Sequence, residues 1–240
     1  MISFEHNFIF FELQKTASTA MCSTLFSIIN IEREKRLCPP ALSHIVEQHE
    51  TIYRRRQKMG RGLWRDGHYP PEFYQKNLES LIIDHYGGAE NSYDKFVKFG
   101  VIRNPWDRFL SAYSHSLSIP TSRRDEWAVL TRKKMKSFQD FDDFCLNCDK
   151  DDFFLRGHFN SHVNFYKGSM GSTHFLRYEN LQKEFRNFAR DFLGFPLNLL
   201  AKINVSPNRQ RDYRLHYSPK SRDIVSQRYK DDIEAFGFEF

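Results

Sequence analysis

The 240-residue chain has little cysteine, no long apolar run and, over one stretch of interest, no glycine. Its four cysteines, Cys22, Cys38, Cys145 and Cys148, are too few for a disulfide scaffold. Cys145 and Cys148 form one C-x-x-C, but a zinc site needs a second pair, or histidines at ligand spacing, and the sequence offers neither. Reduced thiols in a helix-rich segment are expected there, and no metal. No apolar window approaches the length of a membrane span, and the N-terminus lacks a basic stretch followed by an apolar one. A soluble chain without an export signal or membrane anchor is therefore expected. Internal repeats and low-complexity tracts are also missing.

Aromatic residues, by contrast, are plentiful: 24 Phe, 11 Tyr and 3 Trp, in a chain that is 40 % hydrophobic and long enough for one domain spanning 1–240 with a substantial core. The charge is mildly positive, 36 basic against 30 acidic residues for a net +6. That balance suits an anionic ligand but equally suits an ordinary solvated surface.

Apolar runs at 7–13, 95–102 and 173–178 read as strands, and helical patterns follow each. Ala17, Met21, Leu25 and Ile28 mark one face of a helix over 18–30. Further helices are expected over 41–59, from Pro70 to Gly88, after Arg103 with Pro105 in the first turn, over 138–148, over 179–194 ending at Gly194, and as one last helix over 220–238. Residues 120–137 read as a polar surface excursion, and 204–219 as a basic loop containing one Asn-x-Ser. Strands alternating with helices imply an α/β fold of three layers, with a mainly parallel central sheet flanked by helices.

Two segments carry chemistry. In "FFELQKTASTAM" (residues 10–21) a strand runs into a lysine and then into hydroxyl residues that open a helix. A helix N-terminus presents backbone N–H groups and the positive end of the dipole, Thr16, Ser18 and Thr19 add hydroxyls, and Lys15 adds a mobile cation. A Walker loop needs two glycines to wrap a polyphosphate, and only its Lys-Thr step is present. An apolar run ending in Asp, to help hold Mg²⁺, is also missing. A shorter loop for one 5′-phosphate and its substituent fits; so does a plain N-cap after a surface lysine. In "KFGVIRNPWDRFLSAYSH" (98–115) Arg103 ends a strand, the place where open α/β sheets bind ligands, and Ser111 lies two turns into the next helix. An arginine and a serine so spaced suit a second phosphate. Arg103 equally suits an ion pair with Asp107, and Ser111 a helix contact.

Together the segments resemble the signature regions of sulfotransferases that use 3′-phosphoadenosine 5′-phosphosulfate (PAPS), and in particular the carbohydrate enzymes acting on heparan, dermatan and chondroitin. "LQKTAST" is similar to that family's 5′-phosphosulfate loop. "VIRNPWDRFLSAY" matches its 3′-phosphate motif R-[ND]-P-x-x-R-x-x-S-x-Y at Arg103, Asn104, Pro105, Arg108, Ser111 and Tyr113. The tail, with its Asn-x-Ser loop, Arg/Tyr residues, helix and final "FGFEF", extends the resemblance over nearly the whole chain. The resemblance implies a P-loop-like fold without ATP hydrolysis, and in-line sulfuryl transfer to an acceptor hydroxyl without a metal. Lys15 would stabilise the leaving phosphate oxygen. Residues Thr16, Ala17, Ser18, Thr19 and Ala20 would hold the 5′ side, Arg103 and Ser111 the 3′-phosphate, and Arg211 a further anionic contact. His68, just before the helix beginning at Pro70, is the expected general base. His158 and His162 would line the acceptor cleft, although relatives often carry Pro-Gln where this chain has Ser161-His162. The basic runs 53–65 and 122–136 would steer a polyanionic glycan, or serve only as solvated faces.

No nucleic-acid partner is implied, and nothing speaks to oligomeric state. Animal relatives are usually Golgi-anchored. A chain without an anchor fits a cytoplasmic enzyme of bacterial or viral type, or a Golgi-lumen catalytic domain trimmed of its anchor. Two other functions stay open on residues alone: a nucleotide phosphotransferase with a degenerate P-loop, and a non-enzymatic polyanion-binding module.

Overall fold

A computed structural model describes residues 1–38, 43, 46–47, 68–76, 78, 92–155, 157–194, 197–198 and 212–240. Arg211, the Asn-x-Ser loop, the basic run 53–65 and most of the helix expected over 41–59 lie outside these residues. In chain order the longer elements are β1 (Ile2–Ser3), β2 (Phe8–Phe11), α1 (Ser18–Phe26), α2 (Ile31–Leu37), β3 (Val97–Ile102), α3 (Pro105–Leu117), α4 (Glu126–Met135), α5 (Phe141–Asn147), β4 (His174–Arg177), α6 (Leu181–Phe188), α7 (Pro219–Arg228) and α8 (Lys230–Phe236). They gather into two compact units, Met1–Ile102 with Phe165–Ile203, and Arg103–Asn164 with Asn204–Phe240.

The first unit is built on a four-stranded sheet in the order β1-β2-β3-β4. β1 pairs with β2 antiparallel, whereas β2–β3 and β3–β4 are parallel, with Phe10 opposite Phe99 and Ile102 opposite Arg177. Alternation sends Phe8, Phe10, Phe99, Val101 and Leu176 to one face, where they pack with Met21, Cys22 and Leu25 of α1 and Leu181, Phe185 and Phe188 of α6. On the other face Phe11 meets Tyr74 at 5.8 Å and Tyr166 at 6.1 Å between ring centres. Burial on both faces is what a parallel sheet requires, and it explains why β2 reads as an unbroken apolar run. Gly100 sits in the middle of β3 because a Cβ there would lie 2.8 Å from Cζ of Tyr166 and nearer still to its hydroxyl. α6 winds on into a π-helical turn, Ala189–Leu193, stopped by Gly194 at φ 81°.

The second unit packs helices around a cluster of phenylalanines. Phe144 lies 5.2–5.4 Å from Phe109, Phe154 and Phe159. Arg108 and Arg228 lie 5.4 and 5.6 Å from the centre of the buried Tyr229 ring. α3 starts as its sequence dictates, with the Asn104 side chain accepting from the Trp106 N–H and Pro105 in the first turn.

Three expectations change. Residues 126–135, read as a polar excursion, form α4, capped by Asp125, with Ala128, Thr131 and Met135 buried at helical spacing. The single last helix is two, since Tyr229 leaves the helical region at φ −110° and ψ 28° between α7 and α8. The helix expected to run to residue 30 stops at Phe26, and Asn30 instead caps α2.

Candidate functional site

In the first unit β2 ends at Phe11, and six residues lead to α1. Lys15 and Ala17 adopt φ of 67° and 62°, the left-handed region that glycine normally occupies, while Thr16 between them does not. Anion-binding nests are built from alternating right- and left-handed residues, and two left-handed turns separated by one residue share part of that pattern. The cap residue of α1 is Ala17, which has no side chain to accept from the first helical turn, and no acidic residue stands there to compete with an anion. The turns that glycine usually supplies are thus made by Lys15 and Ala17, at a helix start without a capping side chain or an acidic residue.

The hydroxyls divide. Thr16 is buried and donates to the Leu13 carbonyl at 2.8 Å, so its hydroxyl hydrogen is committed to the loop itself. Ser23 and Thr24 donate back to carbonyls one turn earlier. Among the described residues the Ser18 hydroxyl makes no hydrogen bond, which leaves it available to a ligand. Lys15, three residues earlier, is half-buried, and Ala20 is buried in the first turn of α1.

His68 Nδ1 lies 2.6 Å from the backbone carbonyl of Glu12, three residues before Lys15. A carbonyl only accepts, so Nδ1 carries the hydrogen, and the lone pair of the neutral ring is on Nε2. The end of β2 thus leads to the loop lysine and orients an imidazole whose Nε2 is left clear of the Glu12 contact.

In the second unit Arg103 follows β3 directly and is 3 % exposed. Its Nε donates to Asp107 at 2.6 Å, the ion pair that the spacing allowed. Ser111 lies two turns into α3, part-exposed. Its neighbours Ser114 and Ser116 donate to carbonyls four residues back, at 2.9 Å each, but the Ser111 hydroxyl makes no hydrogen bond among the described residues. Arg108, the second arginine of the motif, is fully buried and donates to the carbonyls of His158, at 3.3 Å, and Asn160. It is a strut for the 158–160 turn.

The two histidines of that segment part company. The His158 ring is half-buried and lies 5.1 Å from His115 and 5.0 Å from Trp127. His162 is wholly buried: its Nε2 accepts from the Arg103 backbone N–H at 3.2 Å and its Nδ1 meets Asp232 at 2.9 Å. With both nitrogens engaged it has none for an acceptor, contrary to its expected place in a cleft. Burial pushes its pKa down to about 4, helped by the Arg108 charge and only partly opposed by Asp232. Asp232 is the residue that sequence reasoning missed, since it lies 70 positions from His162 and nothing in "KDDIEAF" marks it.

All four cysteines are buried and none forms a disulfide. Burial pushes the Cys145 thiol well above its ordinary value and raises that of Cys148, as suits inert packing groups. Among the described residues no group of three or more His, Cys, Asp or Glu is placed to hold a metal ion, and no helix is long and apolar enough to cross a membrane.

In comparisons with known proteins, the pattern described as "Sulfotransferase family" matches residues 1–239. No curated protein and no solved structure matches the chain.

Proposed function

Because the chain belongs to the sulfotransferase family, we propose that it moves a sulfuryl group from PAPS to a carbohydrate hydroxyl, by in-line transfer with His68 as general base. The observation that carries this reading is the His68–Glu12 bond, which orients a basic nitrogen at the strand end that also bears Lys15.

When bound, PAPS supplies the sulfuryl group and a leaving 5′-phosphate oxygen. His68 Nε2 takes the acceptor's hydroxyl proton as the acceptor oxygen bonds to sulfur. The bond from sulfur to the 5′-phosphate oxygen breaks, and its electron pair stays on that oxygen. Lys15 is assigned to the charge growing there, together with backbone N–H groups of the Thr16–Ala20 stretch and the Ser18 hydroxyl. Arg103 and Ser111 are assigned to the 3′-phosphate, and Arg211 to a further anionic contact. Charge stabilisation in this reading rests on the protein rather than on a metal. His158 is assigned to the acceptor side, and the basic α4, with Arg132, Lys133 and Lys134 in its last turn, to steering an anionic glycan.

Thermal shift with adenosine 3′,5′-bisphosphate, set against ATP with Mg²⁺, tests the donor. Stabilisation by the bisphosphate alone is expected, and indifference to it would refute the reading. Stabilisation by ATP–Mg²⁺ instead would indicate a phosphotransferase. Transfer of labelled sulfate from PAPS to a panel of glycans and small alcohols identifies the acceptor.

A further inference from the structure

The bonds around His162 form one directed chain. The Arg103 N–H lies one residue past β3 and donates to His162 Nε2 at 3.2 Å. A backbone N–H only donates, so Nε2 is the bare nitrogen and Nδ1 carries the hydrogen. That hydrogen goes to Asp232 Oδ2 at 2.9 Å. The same oxygen accepts from the His162 backbone N–H at 2.8 Å, and Oδ1 accepts from the Val163 N–H at 2.8 Å. His162 and Asp232 are both 0 % exposed.

Such a chain is costly to bury, and apolar residues could fill the same space. What it provides is direction. The carboxylate, fixed by two backbone N–H groups, sets the imidazole tautomer and ring plane. The imidazole in turn holds the peptide on which Arg103 hangs. Asp107, at 2.6 Å from Nε, holds the other end of the same residue. Arg103 is thus fixed at its backbone by one acidic residue acting through a histidine, and at its guanidinium by another acting directly.

We infer that His162, oriented by Asp232, is a positioning residue for Arg103: it fixes the peptide at the end of β3 so that the guanidinium is already aimed for the 3′-phosphate of the donor. The inference rests on the donor reading given under "Proposed function". It moves His162 from the acceptor to the donor, and it predicts that damage at His162 appears as lost discrimination for a 3′-phosphate.

The test compares affinities for adenosine 3′,5′-bisphosphate and adenosine 5′-monophosphate, whose ratio isolates the 3′-phosphate. The wild-type protein is expected to prefer the bisphosphate, and Arg103→Ala to erase the preference. If the wild-type protein shows no preference, the donor reading fails and the inference with it. Given a preference, His162→Phe, which removes both ring nitrogens, is expected to cut the ratio about tenfold while leaving monophosphate affinity alone. His162→Gln, whose carboxamide keeps an acceptor and a donor, is expected to retain most of it. A folded His162→Phe with the wild-type ratio, or one weakened equally toward both ligands, would overturn the positioning role and leave the donor reading standing. Should that variant not fold, ¹⁵N NMR of the wild-type ring decides. His162 is expected as the Nδ1–H tautomer, with an Nε2 resonance that moves on adding bisphosphate but not monophosphate. The opposite tautomer, or an Nε2 resonance indifferent to bisphosphate, would overturn the inference.

Discussion

Acid should weaken the second unit through His162. Its ordinary pKa is 6.5, and in the folded chain burial holds it near 4. The unfolded chain therefore binds a proton between these values that the folded chain refuses, and stability must fall as pH drops through that window. Linkage puts the loss at about 2 kcal/mol by about pH 5 and about 3 kcal/mol by about pH 4, relative to neutrality. Asp232 does not cancel this. Burial pushes its carboxyl up, but hydrogen bonds from His162 and the Val163 N–H, with the charge of Arg108, hold it below its ordinary 3.8, so it stays ionised across the window. Glu34, raised by burial in the first unit, acts in the opposite direction. Denaturant titrations at a series of pH values, run on the wild type and on His162→Gln, separate the terms, because only the histidine differs between the two proteins. The wild-type stability should climb from about pH 4 to about pH 6.5, and the variant should be flatter by the amount given. Equal slopes would mean that His162 titrates normally and is not buried as a neutral ring.

Gly100→Ala should cost about 1–3 kcal/mol by overpacking, since Tyr166 is wedged 4.9 Å from Phe175 and 5.0 Å from Phe165 and cannot retreat; Tyr166→Phe should relieve part of that loss, and additive effects in denaturant melts would refute the contact. His68→Ala should lower turnover by about 10²–10⁴-fold with bisphosphate affinity kept, as assayed by sulfate transfer and thermal shift; unchanged turnover would place the base elsewhere. Arg108→Met strips the His158 and Asn160 carbonyls of their buried donor and should destabilise by about 3 kcal/mol, a loss that chemical denaturation would reveal or deny.

Much of this architecture was legible in the residues. The strands β2 and β3 announce themselves because a sheet covered on both faces needs apolar side chains at every position, and Asn104-Pro105 spells a helix start in two letters. β1 is two residues long and carries no periodicity of its own. α4 hides its buried Ala128, Thr131 and Met135 among arginines and lysines, so charge masks the pattern. At the candidate site, Lys15, Arg103 and Ser111 were visible because each lies on a segment whose local order is informative. The His162–Asp232 pairing was not, because a contact made across 70 residues leaves no trace in either neighbourhood. Nor could spacing say which hydroxyls the backbone would claim: Thr16 looked as suitable as Ser18 until its bond to Leu13 was seen.

The left-handed turns at Lys15 and Ala17 bear on how the loop would meet the donor proposed for it. Each holds a side chain in a conformation that disfavours it by about 1–2 kcal/mol, and the surrounding fold must make up that difference. A glycine at either point would roam widely in the unfolded chain and retain slack in the folded one. Lysine and alanine have no such latitude. A loop so constrained loses its conformational freedom when the chain folds, and in the donor reading proposed above an arriving anion would be spared that entropic loss.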